Sequence, residues 1–338
     1  MTDVHTETVT QPAFPGDPAG GRPRRFQRSR RDLALLVMPT VVLVALLLAL
    51  STRNPDLLTA DGLLALADSA APLMVLAIGA TLVILCGGID LSIAALAALS
   101  SVLFALWIPS MGPAAALAVV VVAAGAGAVQ GLVHVTAKVN SFIVTLGGLA
   151  LWSGIALVIS EARTVPVTDL DAIRWAFTDV AGIPSAVLIA LGVVVVLGAV
   201  LRLTPAGRWV RAVGHAEQAA RLSGIPVGAV KVAAFTVSGA CAGLAGVLLV
   251  ARTFSGAPTL GATLLLPAVA AVVVGGTAIT GGLGGIGRTV VGALIVIVLR
   301  VGLSLVGVDA GFESIIYGVL IIGAVALTID RAKLDVLK

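Results

Sequence analysis

The 338 residues are 59% hydrophobic and 11% charged, against roughly 25% charged in a soluble domain, and the mean hydropathy is +1.13. That balance excludes a soluble globular enzyme and places the chain among all-α polytopic membrane proteins. The net charge of +4 does not imply a nucleic-acid partner, because the basic residues collect at the ends of apolar runs, where they act as topology signals.

Residues 1–31 form a basic segment rich in Pro, Gly and Thr with no apolar periodicity, expected to be disordered in the cytoplasm. Arg22, Arg24, Arg25, Arg28, Arg30 and Arg31 then precede the apolar run Leu33 to Leu50. That run is long for a cleaved signal and more runs follow, so it reads as a retained helix. Further runs at 63–86, 91–108, 113–133, 141–160, 184–202, 232–251, 263–280, 288–306 and 312–329 bring the total to about ten. At roughly 20 residues each they suit a hydrocarbon core of ~30 Å. Threaded from a cytoplasmic N-terminus, they leave sixteen Lys and Arg inside, four outside (Arg53, Arg163, Arg174, Arg252), and Arg300 within a span. The asymmetry fixes number and direction together, since one missed span would scramble it downstream. The membrane-spanning region is thus expected over 32–330, with a cytoplasmic tail at 331–338.

Two breaks interrupt the apolar runs. Gly87-Gly88-Ile89-Asp90-Leu91-Ser92 places a carboxylate and two glycines between the second and third spans. Asp90 sits where its oxygens can cap the third helix, a reading favoured here over solute contact. Gly275-Gly276 and Gly281-Gly282 through Gly287 form the second break, expected to let the backbone bend as a gate. Gly282, Gly284 and Gly287 satisfy the dinucleotide pattern G-x-G-x-x-G, but no strand precedes them and no acidic residue follows at the needed distance, so that reading is discarded. Thr145, in the fifth span, joins Gly87, Gly88, Asp90, Ser92, Gly275, Gly276, Gly281 and Gly282 as a pathway or gate residue. Gly127-x-x-x-Gly131 and Gly239-x-x-x-Gly243 predict close helix approach. Arg300 within its span has Glu313 as an expected ion-pair partner. The external segment Glu161 to Ile183, with Trp175 and Phe177, is expected to hold a short surface helix.

The longest polar interruption is Gly207 to Lys231. Arg208, Arg211, Arg221 and Lys231 hold it in the cytoplasm. Gly214 is expected to break the chain, Ala216 to Leu222 to form a two-turn helix with Glu217 four residues before Arg221, and Ser223-Gly224 to stop it. So short a helix is marginal in water. Ala219 and Ala220 would let a soluble partner pack on it. The same residues also fit a loop whose arginines do no more than hold it inside.

No Walker A pattern surrounds Lys138, Lys231, Lys333 or Lys338, so ATP and Mg would be bound by another chain. Cys86 and Cys241 read as inert packing thiols. Three histidines form no metal-ligand or nucleophile-base cluster, which makes an embedded enzyme a poor reading. An ion-coupled secondary transporter would need more intramembrane ionisable groups than Asp90 and Arg300.

Several blocks together carry a resemblance. Thr81 to Ser100, Asn140 to Ser160, Gly207 to Ile225, Ser238 to Arg252 and Ala271 to Ile295 resemble successive blocks of the ribose, xylose, arabinose and galactose importer permeases of bacterial ABC systems. The resemblance implies a multi-pass inner-membrane permease subunit with a second permease subunit, a homodimer being expected. It further implies two cytoplasmic ATPase domains docked on the Gly207 to Ile225 loop, and an external sugar-binding protein. In that family Gly207, Arg208, Gly214, Glu217, Ala219, Ala220, Arg221, Ser223 and Gly224 would form the ATPase-coupling surface. Two departures stand out: His215-Ala216 follow Gly214 where the family carries Asn, and Asn140-Ser141 replace prolines after Lys138. A branched-chain amino-acid permease shares the architecture and remains open.

Overall fold

In the computed structural model, residues 30–328 are described, and they are overwhelmingly helical. Twelve helices follow in order. They are α1 (Arg30–Ser51), α2 (Ala60–Leu85), α3 (Ile93–Met111), α4 (Ala114–Thr136), α5 (Ser141–Ile159) and α6 (Ser185–Leu203). Then come α7 (Pro205–His215), α8 (Glu217–Leu222), α9 (Val227–Thr253), α10 (Leu265–Val274), α11 (Ile286–Leu305) and α12 (Ala310–Thr328). Helix is the dictated solution, because a lipid-exposed backbone must satisfy its hydrogen bonds within its own segment. Among the described residues seven helices are long and apolar enough to span, and three shorter apolar helices fall on the remaining expected spans. Segment 1–31 lies outside the described residues except for Arg30 and Arg31, which are already helical, and the tail 331–338 lies wholly outside.

The eighth expected span is shorter than its hydropathy. α10 stops at Val274, and Gly275 to Gly285 are irregular before α11. Ten residues rise about 15 Å, half of a ~30 Å core. Apolarity continues to residue 280, but Gly276 at φ +90°, Gly281 at +89° and Gly282 at +76° adopt backbone that L side chains avoid.

The core is built around α2, whose residues from Ala70 to Leu85 are buried almost without interruption. It packs on α9, α11, α6 and α10, while α4 lies along α9 over most of its length. The two small-residue motifs meet there: a Cβ on Gly127 would strike the Phe235 carbonyl, and one on Gly239 the Ala123 carbonyl. α5 and α6 expose Ile143, Leu151, Val158, Leu191, Val195 and Val196. These apolar faces need lipid or another membrane chain.

Outside the helices, β1 (Val165–Pro166), β2 (Asp179–Val180), β3 (Ile183–Pro184) and β4 (Ser255–Gly256) make two tiny antiparallel pairs, β1 with β4 and β2 with β3. The expected surface helix in Glu161 to Ile183 is a 3-10 turn at Asp171–Ala176. Phe177 packs edge-on against Phe254 at 5.3 Å, which ties this segment to the end of α9.

Candidate functional site

The polar loop is two helices rather than one. α7 begins with Pro205 in its first turn, where a missing N–H costs nothing, and Gly214 lies within it. The chain breaks instead at Ala216, whose φ of −158° and ψ of 93° start α8. Glycine's helix penalty of about 1 kcal/mol is outweighed at Gly214 by what its missing side chain permits. A Cβ there would collide with the carbonyl of Leu85 and the amide of Gly282.

Three distant segments therefore share one contact. The Gly282 N–H donates to Leu85 O at 3.0 Å, and Gly281 is so close to Gly87 that a Cβ would overlap the Gly87 backbone. Gly87 at φ +78° turns the chain away from α2. Thus Gly87, Gly214, Gly281 and Gly282 converge, linking α7 to the break before α3 and the break before α11. Gly275 lies apart, pressed on the Arg288 carbonyl. Gly276 accepts from Arg288 Nη1 at 3.1 Å.

The first break is held by a buried polar cluster. Asp90 is 6% exposed. Its Oδ1 accepts from the Ser92 N–H at 3.0 Å and the Ser92 hydroxyl at 2.6 Å, and its Oδ2 from the Ser238 hydroxyl at 2.8 Å. Gln130 Nε2 donates to Ser92 Oγ at 2.9 Å. The carboxylate thus sits at the head of α3 and binds it to α9 directly and to α4 through Ser92. Ile89 is gripped on both sides: its N–H donates to Ser141 Oγ at 3.1 Å, and its carbonyl accepts from Thr145 Oγ1 at 3.1 Å. Gly88 packs against Val83 and near Ser141. Asn140 and Ser141, which stand where the resemblance leads one to expect prolines, are thereby both engaged, since Asn140 caps α5 by accepting from Phe142 N–H at 3.0 Å. Sequence reading missed Ser141, Gln130 and Ser238, and also the Thr81–Thr289 hydroxyl pair at 2.7 Å that joins α2 to α11. Only Ser141 carried a local signal, as a polar residue standing where prolines were expected.

α8 is tethered from behind and open in front. Glu217 binds Lys231 at 2.7 Å and Arg221 at 3.3 Å. The hydrogen bond from Lys231, with its charge and that of Arg221, holds the Glu217 carboxyl below the usual carboxylate range despite partial burial, so it stays ionised at neutral pH. Ala220 is buried at 4% and faces its own chain, which corrects its expected place on a partner surface. Ala219 and Arg221 are exposed, and Leu222 is 90% exposed. Ser223 closes the helix by donating to Ala219 O at 2.9 Å, and Gly224 at φ +79° turns the chain out. Gly207 is buried against the Leu201 carbonyl, while Arg208 faces outward. A cavity of about 230 Å³ lies between α8 and the first break, lined by Gly87, Gly88, His134, Ser141, Glu217 and Lys231. Among the described residues no cluster of His, Cys, Asp and Glu could hold a metal ion.

The model of the family described as branched-chain amino acid transport system / permease component matches residues 62–325. The chain belongs to this permease family. Similar curated proteins include the ribose import permease of Bacillus subtilis, 37% identical over 303 residues that cover 87% of this chain and 92% of that one. The ribose import permease of Escherichia coli K12 is 35% identical over 299 residues, with coverages of 87% and 92%. The D-allose transport system permease of the same organism is 33% identical over 293 residues, covering 85% and 90%. No solved structure matches the chain. The permease is a multi-pass protein of the bacterial inner membrane, and the contact of Gly214 with both breaks lies within the matched region.

Proposed function

We propose that this permease subunit of an ABC importer forms the inward route for a monosaccharide handed over by an external binding protein. Two copies of the chain form the pathway, and two cytoplasmic ATPase domains dock on α7 and α8. Docking is supported by the exposed Leu222 at 90%, beside exposed Ala219 and Arg221, on a short helix tied down by Glu217. The exposed leucine gives a docked protein an apolar point of contact on this helix.

One observation carries the coupling mechanism: Gly214 of α7 touches the Leu85 carbonyl and the Gly282 amide. When ATP drives the docked domains together, α7 moves as a rigid body. Because Gly214 lies in direct backbone contact with both breaks, that displacement reaches them without passing through the long spans. The flanking helices α6 and α9 then serve as supports. Asp90 and its hydroxyl partners keep α3, α4 and α9 moving together, and the breaks open or close the inner end of the route.

Sugar is favoured over a branched-chain amino acid because the similar curated permeases are those for ribose and allose. The test is uptake by proteoliposomes carrying the complex recovered with its native companions through a tag on this chain. ATP-dependent accumulation of labelled D-ribose or D-allose, without accumulation of labelled L-leucine, is expected. Accumulation of L-leucine would select the amino-acid reading. Uptake that survives ATP depletion and collapses with an ion gradient would reject an ATP-driven importer.

A further inference from the structure

At the opposite, outer end of the helices a second polar region is left unused by the coupling mechanism. A cavity of about 570 Å³ opens among α2, α9, α11 and α12, lined by Ser69, Arg252, Arg300, Ser304 and Glu313 among apolar side chains. A smaller space of about 120 Å³ shares Arg300 and Glu313 and extends to Ser314 and Tyr317. The larger volume lies within the roughly 300–1,000 Å³ typical of small-molecule sites.

Its charges are paired but not saturated. Arg300 Nε lies 3.5 Å from Glu313 Oε2, and that same oxygen accepts from the Tyr317 hydroxyl at 3.4 Å. The two terminal nitrogens of Arg300 and the second oxygen of Glu313 have no hydrogen-bond partner among the described residues, and the arginine side chain is 50% exposed. On the same cavity, Arg252 donates to Asp68 Oδ2 at 2.8 Å and to Ser69 Oγ at 3.2 Å. Ionisable groups inside a membrane span are costly and mark solute routes when they face a cavity. Arg300 meets Glu313 through Nε alone and its side chain is half exposed, so its terminal nitrogens keep their donors.

We propose that this outer cavity is the entry subsite for the transported solute and that it takes a neutral polyhydroxylated molecule. Neighbouring hydroxyls accept from the free nitrogens of Arg300 and donate to the free oxygen of Glu313, with Arg252 and Ser69 on the same cavity. The net charge of the two pairs is zero. A hydroxylated solute gains hydrogen bonds of both senses without separating either pair, whereas a charged solute would have to compete with an existing partner. The inference rests on the sugar-importer reading above and adds the residues that meet the sugar first.

Glu313→Gln keeps the size of the side chain and replaces an acceptor with a donor. In the proteoliposome assay, with D-ribose and D-allose as the probes, the E313Q complex is expected to assemble with its companions at the wild-type yield. Its maximal uptake should fall at least tenfold. The exchanged pair R300E/E313R restores an ion pair but inverts the donor and acceptor pattern, and uptake should stay low. Wild-type uptake by E313Q would overturn the subsite. So would restoration of uptake by the exchange, or a loss of companions in step with uptake, since either assigns the pair to joining α11 with α12. Failure of the wild-type complex to accumulate either sugar would instead remove the reading on which the subsite rests.

Discussion

Replacement of Gly214 by valine is expected to cut solute taken up per ATP hydrolysed at least tenfold while the permease remains in the membrane. The missing Cβ is what lets α7 approach the Leu85 carbonyl and the Gly282 amide. Neither neighbour is a flexible side chain that could swing away; both are backbone. Overpacking at such a site costs about 1–3 kcal/mol, and the way to relieve it is to push α7 outward. A displaced α7 can still follow the ATPases but no longer bears on Gly87 and Gly281. Gly198 provides the control, because a Cβ there meets nothing within 4 Å, so Gly198→Ala should behave as wild type. The readout is the ratio of labelled sugar accumulated to phosphate released. An unchanged ratio in Gly214→Val would mean that the three-way contact transmits nothing.

Asp90→Ala should be the most destabilising polar substitution in the chain. It removes the acceptor of three hydrogen bonds from Ser92 and Ser238 and leaves their donors in a dry site. Hydrogen bonds to a charged group contribute about 1.5–3 kcal/mol each, not additively, so a loss of about 3 kcal/mol is a lower expectation. For a chain of this size that corresponds to about 4 °C or more in the unfolding midpoint of the solubilised complex. Asp90→Asn keeps one oxygen for Ser92, and the Ser238 hydroxyl can rotate to accept from the new amide. Its midpoint should therefore fall by less than half as much. Equal losses in the two variants would show that the joint depends on the negative charge itself and not only on the acceptor geometry.

The membrane class, the apolar segments and the polar elbow between α6 and α9 were legible because they are written locally, in hydropathy and in the clustering of charge. The ion pair between Arg300 and Glu313 was legible for the same reason, with two charges near adjoining ends of consecutive helices. Three features were not. α7 was hidden because Gly214 reads as a breaker, although Trp209, Val210 and Val213 alternate with Arg208 and Arg211 at helical spacing. The short length of α10 was hidden because hydropathy counts side chains and does not register that Gly276 and Gly281 turn the backbone. The convergence of Leu85, Gly214 and Gly282 could not be read at all. Its partners are far apart in the chain, and each glycine viewed alone offers only conformational freedom. Ala220 illustrates the converse error: small residues permit close approach, but the sequence does not say by whom, and here the chain fills the space itself.

An inward-facing dock for a separate motor is reachable from the cytoplasm alone and is covered when the motor binds. The direct measurement is modification of Leu222→Cys by a membrane-impermeant maleimide, in right-side-out and inverted vesicles, with and without the co-purifying ATPases. The two native cysteines are both buried, so the introduced thiol dominates the signal. Labelling from the cytoplasmic face alone, suppressed when the ATPases are attached, is the predicted result. Labelling from the outer face, or a rate indifferent to the ATPases, would contradict it.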